Sequence, residues 1–188
     1  GTVKNVLIVA ADVHPSMTDH PDYPFISIGA AALLEFDTDE NVGFLPLKYF
    51  SDLSAGSQLC VYSDVLEQGA EGRNNLAINF EDGYQKSLLE LSVQQVRDLL
   101  SSSQVDKVDY YLGTDFSAGY IHQAVEATGL LSTGTKAVST YKKYAGDVHT
   151  ATPIAGFYMI QDLIKQGDTV LFSLIGSGTT SACCLYRV

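Results

Sequence analysis

His149 is the residue of this chain whose type and setting most directly suggest chemistry. It lies in "GDVHTATPIAG" (146–156), between small turn-forming residues and an apolar helical run, in a chain with only four histidines. A side chain at such a loop-to-helix junction either caps the helix or acts on a ligand. Asp147 could cap the same helix or orient His149, and capping is the commoner role.

The three cysteines offer thiols but show no metal-type spacing. Cys183 and Cys184 are adjacent in an apolar strand, where alternation places one side chain on each face. We expect both to be reduced packing residues, and we expect the same of Cys60. Neither a disulfide framework nor a zinc site is predicted.

The segment "ADVHPSMTDHPD" (11–22) places two histidines among three aspartates, which imitates a metal cluster: His14, His20, Asp12, Asp19 and Asp22. Its prolines and polar composition favour a solvated loop with ordinary surface side chains. The glycine-rich "IGSGTTS" (175–181) lacks a lysine and a following helix, so it predicts a tight turn rather than a phosphate site. We expect no metal and no cofactor.

Composition excludes several classes of function. Among the 188 residues, 22 are acidic and 11 basic, giving a net charge of −11, and the acidic groups are scattered without a basic stripe. Nucleic acids and anionic membranes are therefore poor partners. The apolar runs are shorter than the roughly 20 residues of a membrane span, and the valine-rich start is typical of a strand rather than a signal peptide. A cytoplasmic protein is the simplest interpretation.

Apolar strands alternate with amphipathic helices along the chain, which predicts an α/β layered sheet. The first strand, "NVLIVAADV" (5–13), is apolar on both faces, as in the middle of a covered sheet. Gly129 and Gly167 are expected to end helices, and Pro153 lies in a first helical turn. Further strands are predicted at 25–36, 42–50, 60–66, 108–114, 135–140, 169–176 and 179–188, and helices at 84–100, 116–127 and 151–168.

Four segments, taken in their order along the chain, resemble β-ketoacyl-acyl-carrier-protein synthase III, a thiolase-superfamily enzyme. The ending "KQGDTVLFSLIGSGTTSACCLYRV" is similar to the family's "KPGD" turn, strand, glycine-rich loop and last strand. "GTVKNVLIVAADVHPSM" resembles the strand after the helix that bears the nucleophile, and "FISIGAAALLEF" takes the place of its "GDGAGA" strand. "VDKVDYYLGTDFSAGYIHQAVEATGL" takes the place of "DWxxPHQAN" and a helix. The resemblance implies a thiolase-like layered αβαβα fold.

Under this resemblance the chain divides into two parts. Residues 1–41 correspond to the last strands of the N-terminal thiolase-like half, and residues 42–188 to the C-terminal half. The family carries out a decarboxylative condensation, in which a cysteine takes an acyl group and a malonyl thioester supplies the attacking carbon. Coenzyme A and acyl-carrier-protein thioesters are the substrates. The nucleophilic cysteine is expected in a segment preceding this chain.

The resemblance also assigns site residues. The histidine of "PHQAN", a donor to the thioester carbonyl, falls on Thr114, and its asparagine falls on Ser117, so we expect these two to bind substrate. Their ordinary alternative is a role in a loop and at a helix N-cap. The second donor, the asparagine of "GNTSAAS", falls on His149 or on its neighbour Val148. The histidine of "GHTLGAAG" in elongating ketoacyl synthases favours His149 as the catalytic residue.

Two hypotheses share this family resemblance. In the first, the chain is the C-terminal portion of an acyltransferase whose nucleophile comes from an N-terminal segment. In the second, it is a catalytically degenerate subunit that dimerises with an active ketosynthase. Both imply a homo- or heterodimer, with an acyl carrier protein as a further partner. Because an isolated late strand leaves apolar sheet uncovered, we expect the chain to be stable only with a complementary segment or partner.

Overall fold

The computed structural model describes residues 3–13, 24–51, 59–63, 65, 69–70, 76–176 and 179–188. Nine strands and four α-helices lie in these ranges. The strands are β1 (Asn5–Asp12), β2 (Ile28–Glu35), β3 (Gly43–Ser51), β4 (Leu59–Ser63), β5 (Leu76–Phe80), β6 (Tyr110–Gly113), β7 (Lys136–Ala137), β8 (Thr169–Gly176) and β9 (Thr180–Arg187). The helices are α1 (Tyr84–Ser102), α2 (Tyr120–Thr128), α3 (Thr140–Tyr144) and α4 (Thr152–Ile160).

A five-stranded sheet in the order β3-β9-β8-β6-β7 forms the centre of the fold. Strands β6, β7 and β8 are parallel, β9 returns antiparallel to β8, and β3 is antiparallel to β9. The hairpin predicted for the last two strands is confirmed, because Gly176 pairs with Thr180 across the turn. The remaining strands form two small antiparallel sheets, β1-β2 and β4-β5.

Helices cover both faces of this sheet. On one face, α1 and α2 pack with alternate strand residues into a buried cluster that includes Val96, Tyr111 and Leu171. On the other face, α4 packs against the strand residues of opposite parity, such as Leu112 and Phe172. Alternate residues of β6 and β8 therefore pack into two separate apolar layers, one on each face of the sheet.

Cysteines 183 and 184 follow the same alternation. Cys183 belongs to the cluster under α1 and α2, and Cys184 packs against the cluster under α4. The prediction that they point to opposite faces is confirmed. Burial raises the pKa of each thiol to about 11, which suits packing residues.

The helix at 84–100 is confirmed as α1, and Gly129 ends α2 in the left-handed conformation, as predicted. The helix predicted over 151–168 is shorter: α4 ends at Ile160. There the backbone N–H groups of Leu163 and Ile164 both donate to the carbonyl of Ile160, which closes a turn. Gly167 lies in that return segment, with φ of 90°, and donates to the Val188 carbonyl.

Strand β1 is not the covered strand that its sequence predicts. Within the described residues it pairs with β2, and side chains on both of its faces are exposed: Leu7 by 65% on one face and Val6 by 47% on the other. An apolar run has the same sequence whether or not a neighbouring layer is present, so the pattern cannot distinguish the two situations. The structure places β1 and β2 in a sheet of their own. The division of the chain into two thiolase-like parts, residues 1–41 and 42–188, stays a prediction.

Strand β5 and helix α3 were not predicted. Both are short, and the amino-acid sequence before β5 offers no clear periodicity. Among the described helices, none combines the length and the apolar character of a membrane-crossing segment.

Candidate functional site

Thr114 directly follows β6 and is tied to the end of β8. Its backbone N–H donates to the carbonyl of Ser173 at 3.1 Å. Its hydroxyl donates to the carbonyl of Ile175 at 3.3 Å and accepts from the Ile175 N–H at 2.8 Å. A threonine has one O–H to donate, and here that proton is used within the protein. Thr114 is buried, so its role in substrate binding stays a prediction based on position.

Asp115 joins the carboxyl ends of β6 and β7. Its Oδ2 atom accepts from the Ser139 hydroxyl at 2.6 Å and from the Tyr141 backbone N–H at 3.0 Å. Burial raises the pKa of this carboxyl, although those hydrogen bonds oppose the effect. Ser117 lies in the turn that precedes α2, where its backbone carbonyl accepts from the N–H of Tyr120. The carboxyl ends of parallel strands thus meet the start of α2 at one edge of the sheet.

The loop before α4 is held against the segment that leads into β2. Ile26 donates its backbone N–H to the carbonyl of Asp147 at 3.0 Å. A Cβ atom on Gly146 would lie 2.6 Å from the side chain of Ile26, so this close approach requires glycine. The loop therefore has a fixed position relative to residues 25–26.

Asp147 is a buried acid in this loop, 2% exposed. Its Oδ1 atom accepts from the backbone N–H of His149 at 2.7 Å. Burial raises the pKa of this carboxyl to about 6, although its interactions with His149 oppose the shift. Of the two roles considered for Asp147, the structure shows it fixing the backbone at His149.

The imidazole of His149 is held from two sides. Its Nδ1 atom lies 3.3 Å from Oδ1 of Asp12, and its ring stacks on Phe25, with centroids 4.1 Å apart and planes 25° apart. The backbone of His149 has φ of 42°, an uncommon value for a residue with a side chain and one that is concentrated at functional sites. The side chain is 36% exposed, whereas Val148, the alternative placement, is fully buried.

Asp12, at the end of β1, was considered on sequence only as part of the metal-like cluster. It accepts from the Thr150 backbone N–H at 3.0 Å and from the Thr150 hydroxyl as well as facing His149. Burial by itself would raise the pKa of this carboxyl, but the bonds from Thr150 and His149 hold the pKa below its ordinary value. His14, His20, Asp19 and Asp22 lie outside the described residues.

Sequence reasoning selected His149 and considered Asp147 beside it, but it missed the contacts of Asp12 and Phe25 with the ring. Asp12 lies 137 residues away, so no local spacing could have linked the two. The one available signal was that Asp12 is an acid at the end of an otherwise apolar strand. Within the described part of the chain, the site contains the imidazole of His149, the Asp12 carboxylate beside the ring and the buried Asp147 carboxyl in the same loop.

Comparison with known proteins confirms the resemblance and the fold. β-Ketoacyl-[acyl-carrier-protein] synthase III of Rickettsia bellii is 25% identical over 193 aligned residues, covering 100% of this chain and 59% of the relative. The 3-oxoacyl-(acyl carrier protein) synthase III structure from Pseudomonas aeruginosa matches 98% of this chain and 59% of its own, with 17% identity and a TM-score of 0.76. No family model matches the chain.

A type III polyketide synthase, 1,3,6,8-tetrahydroxynaphthalene synthase from Streptomyces coelicolor, gives a TM-score of 0.72 at 13% identity, covering 97% of this chain and 54% of that one. The thiolase-like fold is therefore shared beyond close sequence relatives, and the fold prediction is confirmed. The chain itself spans 59% of the length of the curated synthase III relatives that it matches.

Proposed function

We propose that this chain is the C-terminal portion of a ketoacyl-synthase-III-like condensing enzyme. The reaction would join an acyl thioester to a malonyl thioester, with loss of carbon dioxide, in fatty-acid or polyketide-type biosynthesis. One observation carries the proposal: the similarity to curated proteins named synthase III runs along the entire chain, at 25% identity to the one from Rickettsia bellii. Coenzyme A or carrier-protein thioesters are the substrates in this proposal, and no further cofactor is required.

The described residues supply part of the site under this proposal. His149 provides the imidazole, and the loop that carries it is fixed by Asp147 and by the pairing of Ile26. Thr114 and Ser117 line the substrate region at the end of β6, with Thr114 contributing shape because its hydroxyl proton is already used. The nucleophilic cysteine comes from a complementary segment.

The β1-β2 hairpin supports the need for such a segment or partner. Leu7, Val9 and Leu33 are exposed by 60% or more, and alternate residues of β1 leave both faces of the strand uncovered. Contiguous exposed apolar surface of this kind marks an interaction site or an aggregation hazard. A complementary segment or a dimer partner covering the hairpin would remove that hazard.

A specific observation favours a second candidate, the catalytically degenerate subunit. Thr114 stands where the resemblance expects an imidazole donor, and both hydrogen-bonding functions of its hydroxyl are engaged with Ile175. A site without this donor would stabilise a developing oxyanion less well. In this alternative the fold is retained for pairing with an active ketosynthase.

Intact-mass spectrometry after incubation with acyl-coenzyme A donors of several chain lengths separates the two proposals. The experiment uses the complete protein together with any complementary segment. A covalent acyl adduct on the completed protein, at the segment that supplies the cysteine, supports the condensing enzyme, whereas no adduct with any donor contradicts it. Capture of an active ketosynthase from the native host, without an adduct, supports the degenerate subunit, and an active homodimer contradicts that alternative.

Matched variants test the role of His149 in an active protein. His149→Gln is expected to lower the rate of condensation by about 100-fold, a typical value for the loss of one catalytic side chain, whether it transfers a proton or stabilises developing charge. His122→Gln is the control, because His122 lies exposed on α2. Equal activity of the two variants would contradict a catalytic role for His149.

Association through the hairpin is tested with Leu7→Lys, measured by light scattering. The charge is expected to weaken binding of the partner or segment. Leu163→Lys is the control, because Leu163 is similarly exposed, by 60%, in the turn after α4. An unchanged assembly in Leu7→Lys would show that the hairpin is not the interface.

A further inference from the structure

The contact between Asp12 and His149 has a chemical consequence for the imidazole. A neutral imidazole carries its proton on one nitrogen and accepts with the other, and the partner of one nitrogen decides the state of both. An ionised carboxylate can only accept hydrogen bonds. Since Nδ1 of His149 lies 3.3 Å from Oδ1 of Asp12, a hydrogen bond there requires the proton to be on Nδ1.

Asp12 is well suited to remain ionised. Both its oxygens are used: Oδ1 faces His149, and Oδ2 accepts two hydrogen bonds from Thr150. These bonds stabilise the carboxylate, whose pKa lies below its ordinary value despite partial burial. The side chain is 18% exposed, so water competes only weakly for the same oxygens.

The imidazole is also held against rotation. Stacking on Phe25 fixes the ring plane, and Asp147 fixes the backbone of His149 through its N–H. A ring flip that exchanged Nδ1 for another atom would break the contact with Asp12. The two contacts therefore restrict both the orientation and the protonation pattern of the ring.

We propose that Asp12 is a positioning residue that fixes His149 in the tautomer with its proton on Nδ1, so that Nε2 is a proton acceptor. This assignment differs from the neutral N–H donor that the resemblance implies for His149. In a reaction, Nε2 would take the proton of an S–H or O–H group, whose bonding electrons stay on sulfur or oxygen. The resulting imidazolium would be stabilised by the adjacent Asp12 carboxylate.

The use of this proton acceptor in a condensation rests on the proposed function, whereas the tautomer does not. The test therefore reads the tautomer of the neutral imidazole directly, by nitrogen NMR of the complete protein labelled with ¹⁵N-histidine. His149→Gln identifies the signals of His149. We expect Nδ1 to give a protonated-type signal and Nε2 an unprotonated-type signal.

Asp12→Asn is the decisive variant, because an asparagine amide can donate to Nδ1 and so permits the proton to move to Nε2. We expect the two nitrogen signals of His149 to exchange types, fully or as a mixture. Asp162→Asn removes the same charge from the exposed turn after α4 and is expected to leave both signals unchanged.

A wild-type protein with the proton of His149 on Nε2 would overturn the proposal, even if Asp12→Asn did not fold. So would an Asp12→Asn protein that retains the wild-type signals. A confirmed Nδ1–H tautomer in a protein that forms no acyl adduct would support the role of Asp12 while contradicting the proposed condensation. The two proposals can thus fail separately.

Discussion

The free energy of unfolding of an Asp147→Asn variant, measured relative to the wild type, should be larger at neutral pH than at acidic pH. Asp147 is 2% exposed, and burial raises its pKa to about 6 from an ordinary value of 3.8. Well below pH 3.8 the carboxyl is protonated in both the folded and the unfolded protein, so its ionisation does not change the free energy of unfolding. As the pH rises, the unfolded chain ionises first, and the folded state loses relative stability until the pH passes about 6.

The size of this effect follows from the two pKa values. They differ by about 2 pH units, and each unit corresponds to about 1.4 kcal/mol, so the wild type should lose about 3 kcal/mol of unfolding free energy across this window. Asparagine cannot ionise, yet its Oδ1 can still accept from the N–H of His149. Asp147→Asn should therefore lack this loss and retain the loop geometry.

Urea unfolding of the complete protein at about pH 4 and about pH 8 measures the effect. About 2.4 of the 3 kcal/mol falls between these two pH values. With a slope of about 2 kcal/mol per molar urea, the difference in midpoint between variant and wild type should therefore change by about 1.2 M. Asp162→Asn, at an exposed site, controls for the general change in net charge. Midpoints of Asp147→Asn that track the wild type at both pH values would refute the burial argument.

Two further predictions concern packing around the central sheet. Gly113→Ala should lower the free energy of unfolding by about 1–3 kcal/mol, because its Cβ would clash with the carbonyl oxygen of Ser173. Gly29→Ala is the control, because the nearest atom to its Cβ would be 3.9 Å away, and it should change the urea midpoint little. Equal effects of the two variants would contradict the argument. Cys183 and Cys184, with pKa values of about 11, should have about one thiol in a thousand ionised at pH 8. Iodoacetamide followed by mass spectrometry should therefore label them slowly when folded and rapidly in urea, and rapid labelling of the folded protein would argue against their burial.

Sequence patterns were most informative where neighbouring residues decide the structure. The 3.6-residue periodicity of α1 and the turn between β8 and β9 are local properties, and both were predicted closely. The helix after Pro153 was predicted correctly at its start but was too long at its end. Its end depends on how the chain returns to β8 and on the contact of Gly167 with the last residue of the chain.

The sequence by itself determined the α/β class, the resemblance to synthase III and the choice of His149 as the residue with chemical potential. Only the tertiary structure decided what surrounds that histidine. Asp12 reaches it from 137 residues away, and the loop that carries the buried Asp147 is held by a backbone hydrogen bond from Ile26, 121 positions earlier in the chain. Orientation of an imidazole and the pKa of a carboxyl both depend on distances in space, and separation along the chain does not fix those distances.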